Sequence, residues 1–183
     1  MIRVLVVDDS SLVRNILAKG LLMDPGIEIA GTAADPYEAR DKIVKLKPDV
    51  LTLDVEMPKM DGVEFLRRFM PQYPLPVVMV SSLTQKGKQV TLDALDAGAV
   101  DFVSKPTSDI ARGLNRMLTE LRTKIKIAST ANVSHWKSKR YERKAGLISN
   151  NNSLAESTDK VIAIGASTGG TEAIRAIVEQ FPS

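Results

Sequence analysis

Polar side chains stand behind four apolar, β-prone runs, and their types suit phosphoryl transfer. Ile2–Val7 ends in Asp8 and Asp9, and Val50–Leu53 ends in Asp54. Val77–Val80 ends in Ser81 and Ser82, and Ala99–Val103 ends in Ser104, Lys105 and Pro106. In open α/β sheets, ligands bind beyond the carboxyl ends of the strands. If the four runs are parallel neighbours, Asp8, Asp9, Asp54, Ser81 and Lys105 converge on one edge. Three close carboxylates cannot all stay ionised without a counter-charge. A hard cation with oxygen ligands answers that need, and magnesium, which takes few carboxylates and keeps waters, fits well. A carboxylate beside magnesium, a lysine and a hydroxyl is equipped to accept a phosphoryl group. The two cations neutralise the phosphoryl oxygens and the carboxylate attacks as nucleophile.

Those residues need rigid elements behind them, and the chain supplies an alternation. After Asp9, apolar residues at Leu12, Val13, Ile16, Leu17, Leu21 and Leu22 have helical spacing, with Ser10 or Ser11 as cap and Pro25-Gly26 as stop. Ile27–Ala33 reads as a second, edge strand. Pro36 opens a helix that runs to about Leu46. Gly62–Phe69, Gly87–Ala97 and Thr107 to about Ala128 are three further helices. Pro58 and Asp61-Gly62 make the stretch after Asp54 a loop. Five β-α units imply a five-stranded, doubly wound parallel sheet with helices on both faces.

Residues 1–124 resemble response-regulator receiver domains, a flavodoxin-like fold. The motifs are Asp8-Asp9, Asp54 ahead of Met57-Pro58-Lys59-Met60-Asp61-Gly62, Ser81, and Lys105-Pro106. The resemblance implies that Asp54 is the phospho-acceptor. It implies that Asp8, Asp9, Asp54 and the backbone carbonyl of Glu56 hold magnesium. It further implies that Ser81 and Lys105 contact the phosphoryl group and that Phe102 is a switch aromatic.

Composition narrows the class. The 183 residues are 44% hydrophobic but only 4% aromatic, so the core is aliphatic. There is no cysteine, which excludes disulfides and thiolate metal sites. No apolar run approaches the roughly 18 residues of a membrane span, and no signal-like segment opens the chain. The expectation is a cytoplasmic protein without membrane insertion. Charge is uneven: residues 1–110 carry 13 Lys+Arg against 16 Asp+Glu, and residues 111–183 carry 12 against 6. The acidic half contains the carboxylates, and the basic excess lies mainly in a segment without apolar periodicity.

That segment, residues 125–159, reads as a basic linker with Lys137, Lys139, Arg140, Arg143 and Lys144 and with the lone His135 and Trp136. His135 reads as a solvated linker residue. Residues 160–183 begin something new. Val161–Ile164 is a strand run, Gly165-Ala166-Ser167-Thr168-Gly169-Gly170 follows, and Thr171–Phe181 has helical spacing. Strand, Gly-x-Ser-x-Gly and helix together form the setting of a nucleophile elbow. A glycine-rich phosphate loop and a plain tight turn also fit, although no lysine follows the glycines as a P-loop requires.

The order of receiver, basic linker and Ile164-Gly165-Ala166-Ser167-Thr168-Gly169-Gly170-Thr171-Glu172-Ala173-Ile174 resembles the chemotaxis protein-glutamate methylesterase family across essentially the whole chain. The resemblance implies Ser167 as catalytic serine and a chemotaxis histidine kinase and methyl-accepting chemoreceptors as partners. The implied reactions are hydrolysis of glutamyl methyl esters and deamidation of glutamines. That family uses a Ser-His-Asp triad with its histidine and aspartate downstream, yet no His or Asp occurs among the 16 residues after Ser167. The expectation is therefore the first strand-turn-helix of a second α/β domain, cut from a longer enzyme and inactive as an esterase alone. Two other readings stand beside it: a free-standing phospho-receiver that binds partners, and a receiver with a DNA-binding output. The linker's charge is the only feature that favours DNA binding, and no nucleic-acid-binding fold follows it, so no nucleic acid is expected.

Overall fold

The sheet runs in the order β2 (Ile27–Ala33), β1 (Ile2–Val7), β3 (Val50–Asp54), β4 (Val77–Ser82) and β5 (Asp101–Lys105), and every neighbouring pair is parallel. The computed structural model describes residues 1–82, 87–106 and 110–137. Ser167, the rest of the 160–183 segment and the linker beyond Lys137 lie outside the described residues. The chain divides into two units, Met1–Gly146 and Leu147–Ser183, and the described residues all fall in the first. The helices are α1 Ser11–Leu21, α2 Pro36–Leu46, α3 Gly62–Phe69, α4 Gly87–Asp96 and α5 Ile110–Ala128. Among the described residues, no helix is long and apolar enough to cross a membrane.

The period-2 alternation of a strand divides the core in two. Val4, Val6, Val50, Val78, Val80 and Val103 face α1 and α5, where they meet Leu17, Leu21, Leu121 and Ile125. Leu5, Val7, Leu51, Leu53, Val77 and Met79 face the other way, toward Ile43, Phe65, Leu66 and Ala94 of α2, α3 and α4. β3 is central and buried along its whole length. Helix starts follow local chemistry. Ser10 accepts from the Val13 N–H, Asp35 accepts from Tyr37 and Glu38 ahead of Pro36, and Asp61 accepts from Glu64.

The chain runs outward from β1 to β2, then jumps back past β1 to β3. Consecutive β-α units on either side of that jump leave in opposite directions, which opens a crevice between the carboxyl ends of β1 and β3. Asp8-Asp9 and Asp54 sit at these two ends.

Two sequence expectations are adjusted. The last strand is displaced by two residues, because Gly98 (φ +110°) caps α4 and Ala99 still closes that cap onto the Ala94 carbonyl. Pairing with β4 then runs from Val78↔Asp101 to Ser82↔Lys105, so Lys105 is the last residue of β5 and not part of the following loop. The start of the expected linker is also built into the domain. α5 runs to Ala128, as its spacing implies, and beyond it a 3₁₀ turn over Ser134–Lys137 brings Trp136 and Val133 onto the core layer of α2, α3 and α4. Trp136 packs so closely on Gly98 that a Cβ there would lie 2.9 Å from its ring. His135 is exposed, as expected. Trp136→Ala should therefore cost about 2 kcal/mol of domain stability, a partly buried aromatic's share. Urea unfolding followed by far-UV circular dichroism would measure it, and a change within experimental error would show that the turn rests on the surface without contributing.

Candidate functional site

The site begins with main-chain order. Asp8 continues β1 and is fully buried, Asp54 closes β3 at 3% exposure, and Asp9 is exposed. Asp8, Asp9 and Asp54 each place a carboxylate oxygen so that all three lie within 4.8 Å of one another. Lys105 reaches in from the end of β5. Its Nζ donates to Asp8 Oδ2 at 2.8 Å and to Asp54 Oδ2 at 2.7 Å.

Burial pushes the Asp54 carboxyl up from an ordinary 3.8 to about 6, and the neighbouring Asp8 charge adds to the rise. The Lys105 hydrogen bond and charge and the Glu56 N–H pull it down without prevailing. Burial works against the Lys105 ammonium too, but its bonds to Asp54 and Asp8 outweigh it, and the lysine is held above its ordinary value. One ammonium thus faces three carboxylates. The donor set is all oxygen and short of positive charge, which is the environment a hard divalent cation fits.

The loop from β3 to α3 is held tightly against Asp54. The Gly62 N–H donates to the Val55 carbonyl at 2.9 Å, and a Cβ at Gly62 would collide with the Asp54 carbonyl oxygen. Lys59 takes a left-handed φ of 71° while the Met60 N–H bonds back to the Pro58 carbonyl. This three-residue turn is uncommon and strained for a non-glycine residue. It carries the chain from Asp54 to the Asp61 cap of α3.

The sequence-predicted residues divide by position. Asp8, Asp9, Asp54 and Lys105 meet at one edge. Ser81 is half-buried on β4, one step beyond Val80, which pairs with Asp54, so it lies at the same end of the sheet. Glu56 is exposed two residues beyond Asp54. Phe102 sits deeper along β5, paired with Met79, and its half-buried ring packs on the α2–α4 layer. It is not part of the carboxylate cluster.

Two residues went unnoticed in the sequence, one at the acidic edge and one beside Phe102. Arg14 of α1 donates Nη1 to the Asp8 carbonyl at 2.7 Å and to the Asp9 carbonyl at 3.0 Å. Lys124 of α5 donates to the Phe102 carbonyl at 2.6 Å, pairs with Asp101 at 2.9 Å and lies 5.0 Å from the Phe102 ring centroid. Neither belongs to a local motif. Each is one charged residue on an amphipathic helix until the tertiary fold shows what it reaches.

Known proteins are similar to this chain in sequence and in fold. The protein-glutamate methylesterase/protein-glutamine glutaminase of Syntrophotalea carbinolica is 77% identical over 183 residues, covering all of this chain and 52% of that protein. The chain thus spans about half the length of the curated relatives it matches. The crystal structure of the response regulator domain of Thermotoga maritima CheB aligns with a TM-score of 0.66 and 43% identity, over 72% of this chain and 98% of that one. The CheX-CheY-BeF3-Mg+2 complex from Borrelia burgdorferi aligns with a TM-score of 0.53 and 36% identity, over 66% and 89% of the two chains. The response regulator receiver domain family matches residues 4–115, the stretch that runs from within β1 through β5 and carries the acidic edge, and the chain belongs to that family.

Proposed function

We propose that this chain is the phosphoryl-accepting part of a chemotaxis response regulator and that Asp54 is its acceptor. The observation that carries the reading is the position of Asp54: buried at the end of the central strand, bonded to Lys105, and within 4.8 Å of two more carboxylates. A carboxylate oxygen of Asp54 attacks the phosphorus of a phosphohistidine on a chemotaxis kinase. The new O–P bond forms as the N–P bond breaks, and the histidine leaves with its electron pair. Lys105 neutralises charge on the transferred oxygens, and Ser81 donates its hydroxyl to one of them.

Asp8, Asp9, Asp54 and the Glu56 backbone carbonyl would hold magnesium. The all-oxygen donor set and the excess of carboxylates over ammonium fit that ion. When bound, it supplies charge stabilisation to the phosphoryl oxygens. The magnesium named in the complex of the Borrelia burgdorferi relative supports the choice. Phosphorylation adds close to two negative charges next to Lys105 and Ser81, and Phe102, three residues before Lys105, is the aromatic whose packing would respond.

The same proposal extends to the output that the relatives' names describe. The name of the 77% identical protein supports methylesterase action on protein glutamate and glutaminase action on protein glutamine; we extend this to chemoreceptors as substrates, the cytoplasm as location and Ser167 as nucleophile. For the 183 residues themselves a second reading holds, a phospho-receiver without esterase activity. The sequence has one histidine, and His135 is exposed in the 3₁₀ turn after α5.

Intact mass spectrometry after incubation with acetyl phosphate and magnesium tests the acceptor. The wild-type chain should gain one phosphoryl group, and Asp54→Asn should gain none. A mass gain in Asp54→Asn equal to wild type would place the acceptor elsewhere.

A further inference from the structure

Asp9 is held differently from its two neighbours. Asp8 and Asp54 are each fixed by the Lys105 ammonium. Among the described residues, no hydrogen bond or ion pair reaches the Asp9 carboxylate, yet that carboxylate stays within 4.8 Å of the other two. Its position comes from its main chain. That main chain is held on one side by the Ser10 N–H, which bonds to Asp8 Oδ1 at 2.9 Å. On the other side it is held by Arg14, whose Nη1 takes both the Asp8 and the Asp9 carbonyls. Arg14 is itself tied to the start of α1, where its N–H bonds to the Ser10 carbonyl at 3.0 Å. Half-buried and anchored on a helix, the guanidinium fixes two successive peptide planes of the β1–α1 loop.

We propose that Arg14 is a positioning residue for the divalent cation: by gripping the carbonyls of Asp8 and Asp9, it sets the direction in which Asp9 presents its carboxylate. This inference rests on the reading of the acidic edge as a cation site. It makes a claim about sign that simple electrostatics does not. A guanidinium beside three carboxylates repels an incoming cation, so its removal should tighten cation binding if its charge were all that mattered. If it positions Asp9, its removal weakens binding even though the site becomes more negative. Residues that orient metal ligands from behind typically account for 10–100-fold in metal affinity.

The test is the magnesium dissociation constant of the 183-residue chain, measured by isothermal titration calorimetry. Arg14→Met, which keeps an unbranched apolar stem and loses the donors, should raise it about tenfold. Arg14→Lys, which keeps the charge but replaces the planar fork with a single ammonium, should raise it several-fold and decides the matter should the methionine variant not fold. On an Asp9→Asn background, Arg14→Met should have almost no further effect, because the ligand it positions is gone. Equal or tighter magnesium binding in the Arg14 variants, with wild type binding normally, would overturn the inference and leave the cation site standing. Absence of magnesium binding by the wild-type chain would remove the cation site itself. A merely structural Arg14 would lower the melting temperature without moving the dissociation constant.

Discussion

An Asp54→Asn chain should be more stable than wild type at pH 7 in the absence of magnesium, by up to about 3 kcal/mol, and the difference should vanish near pH 4. The sign follows from what burial does to the carboxyl. Asp54 rises from an ordinary 3.8 to about 6 in the fold, with burial as the main cause and Asp8 adding to it. A raised carboxyl stabilises the folded state only while it is protonated. That contribution is fully present below about 3.8 and is lost as pH climbs through 6. A tenfold change in proton affinity is worth about 1.4 kcal/mol, and the rise spans roughly two such factors, which sets the upper bound. Asparagine does not titrate, keeps an oxygen that can accept from Lys105, and leaves Lys105 its bond to Asp8.

Urea denaturation of both chains at a series of pH values measures the difference. Magnesium should then narrow the gap, because a ligand that binds only the folded wild-type site stabilises it by mass action. A difference that stayed flat between pH 4 and 7 would show that Asp54 is ionised throughout and that Lys105 alone offsets its burial. The same experiment separates two roles: the residue that makes phosphorylation possible is one the metal-free fold would be more stable without.

Gly62→Ala should destabilise the domain by about 3 kcal/mol and weaken magnesium binding as well. Helix propensity alone predicts the reverse, since alanine is favoured over glycine by up to about 1 kcal/mol within a helix. The difference is steric. Gly62 is buried in the first turn of α3 with its N–H on the Val55 carbonyl. The added Cβ would strike the backbone carbonyl of Asp54 and lie 3.1 Å from Met79 Cε. The methionine can give way, but a carbonyl at the end of the central buried strand cannot. Either α3 moves away or the end of β3 shifts, and both cost packing in an interior with little free volume. Because the shift falls on the residue whose carboxylate faces Asp8 and Lys105, stability and magnesium affinity should fall together. Urea denaturation with parallel calorimetry checks both. A stability gain would mean that the loop relaxes without disturbing Asp54.

The fold was largely legible because its signals are local and periodic. Apolar runs with β-branched residues marked the strands, and spacing at three and four residues marked the helices. Pro36 and Asp61-Gly62 marked boundaries through backbone constraints that act within a few residues. Parallel pairing follows from the alternation itself, since a helix between two strands carries the chain back to the starting edge. The segment after α5 was harder. Trp136 looked like part of a basic, aperiodic stretch, because the residue it packs on, Gly98, is far away in sequence.

The candidate site shows the same division. Sequence by itself determined which side chains stand at strand ends, and so that Asp8, Asp9, Asp54 and Lys105 belong to one edge once the strands are parallel neighbours. It could not determine the register of β5, which makes Lys105 the last paired residue through Ser82↔Lys105. Nor could it determine that Lys105 bonds Asp8 and Asp54 while, among the described residues, Asp9 is held through its backbone alone. The charge state of Asp54 was equally out of reach, since it depends on how deeply the residue is buried and on which charges lie within a few ångströms. Nor could it give Arg14 and Lys124 their tasks. A long cationic side chain on a helix reads as solvated surface until the tertiary structure brings a carbonyl or a ring within its reach, and only packing between distant segments decides that.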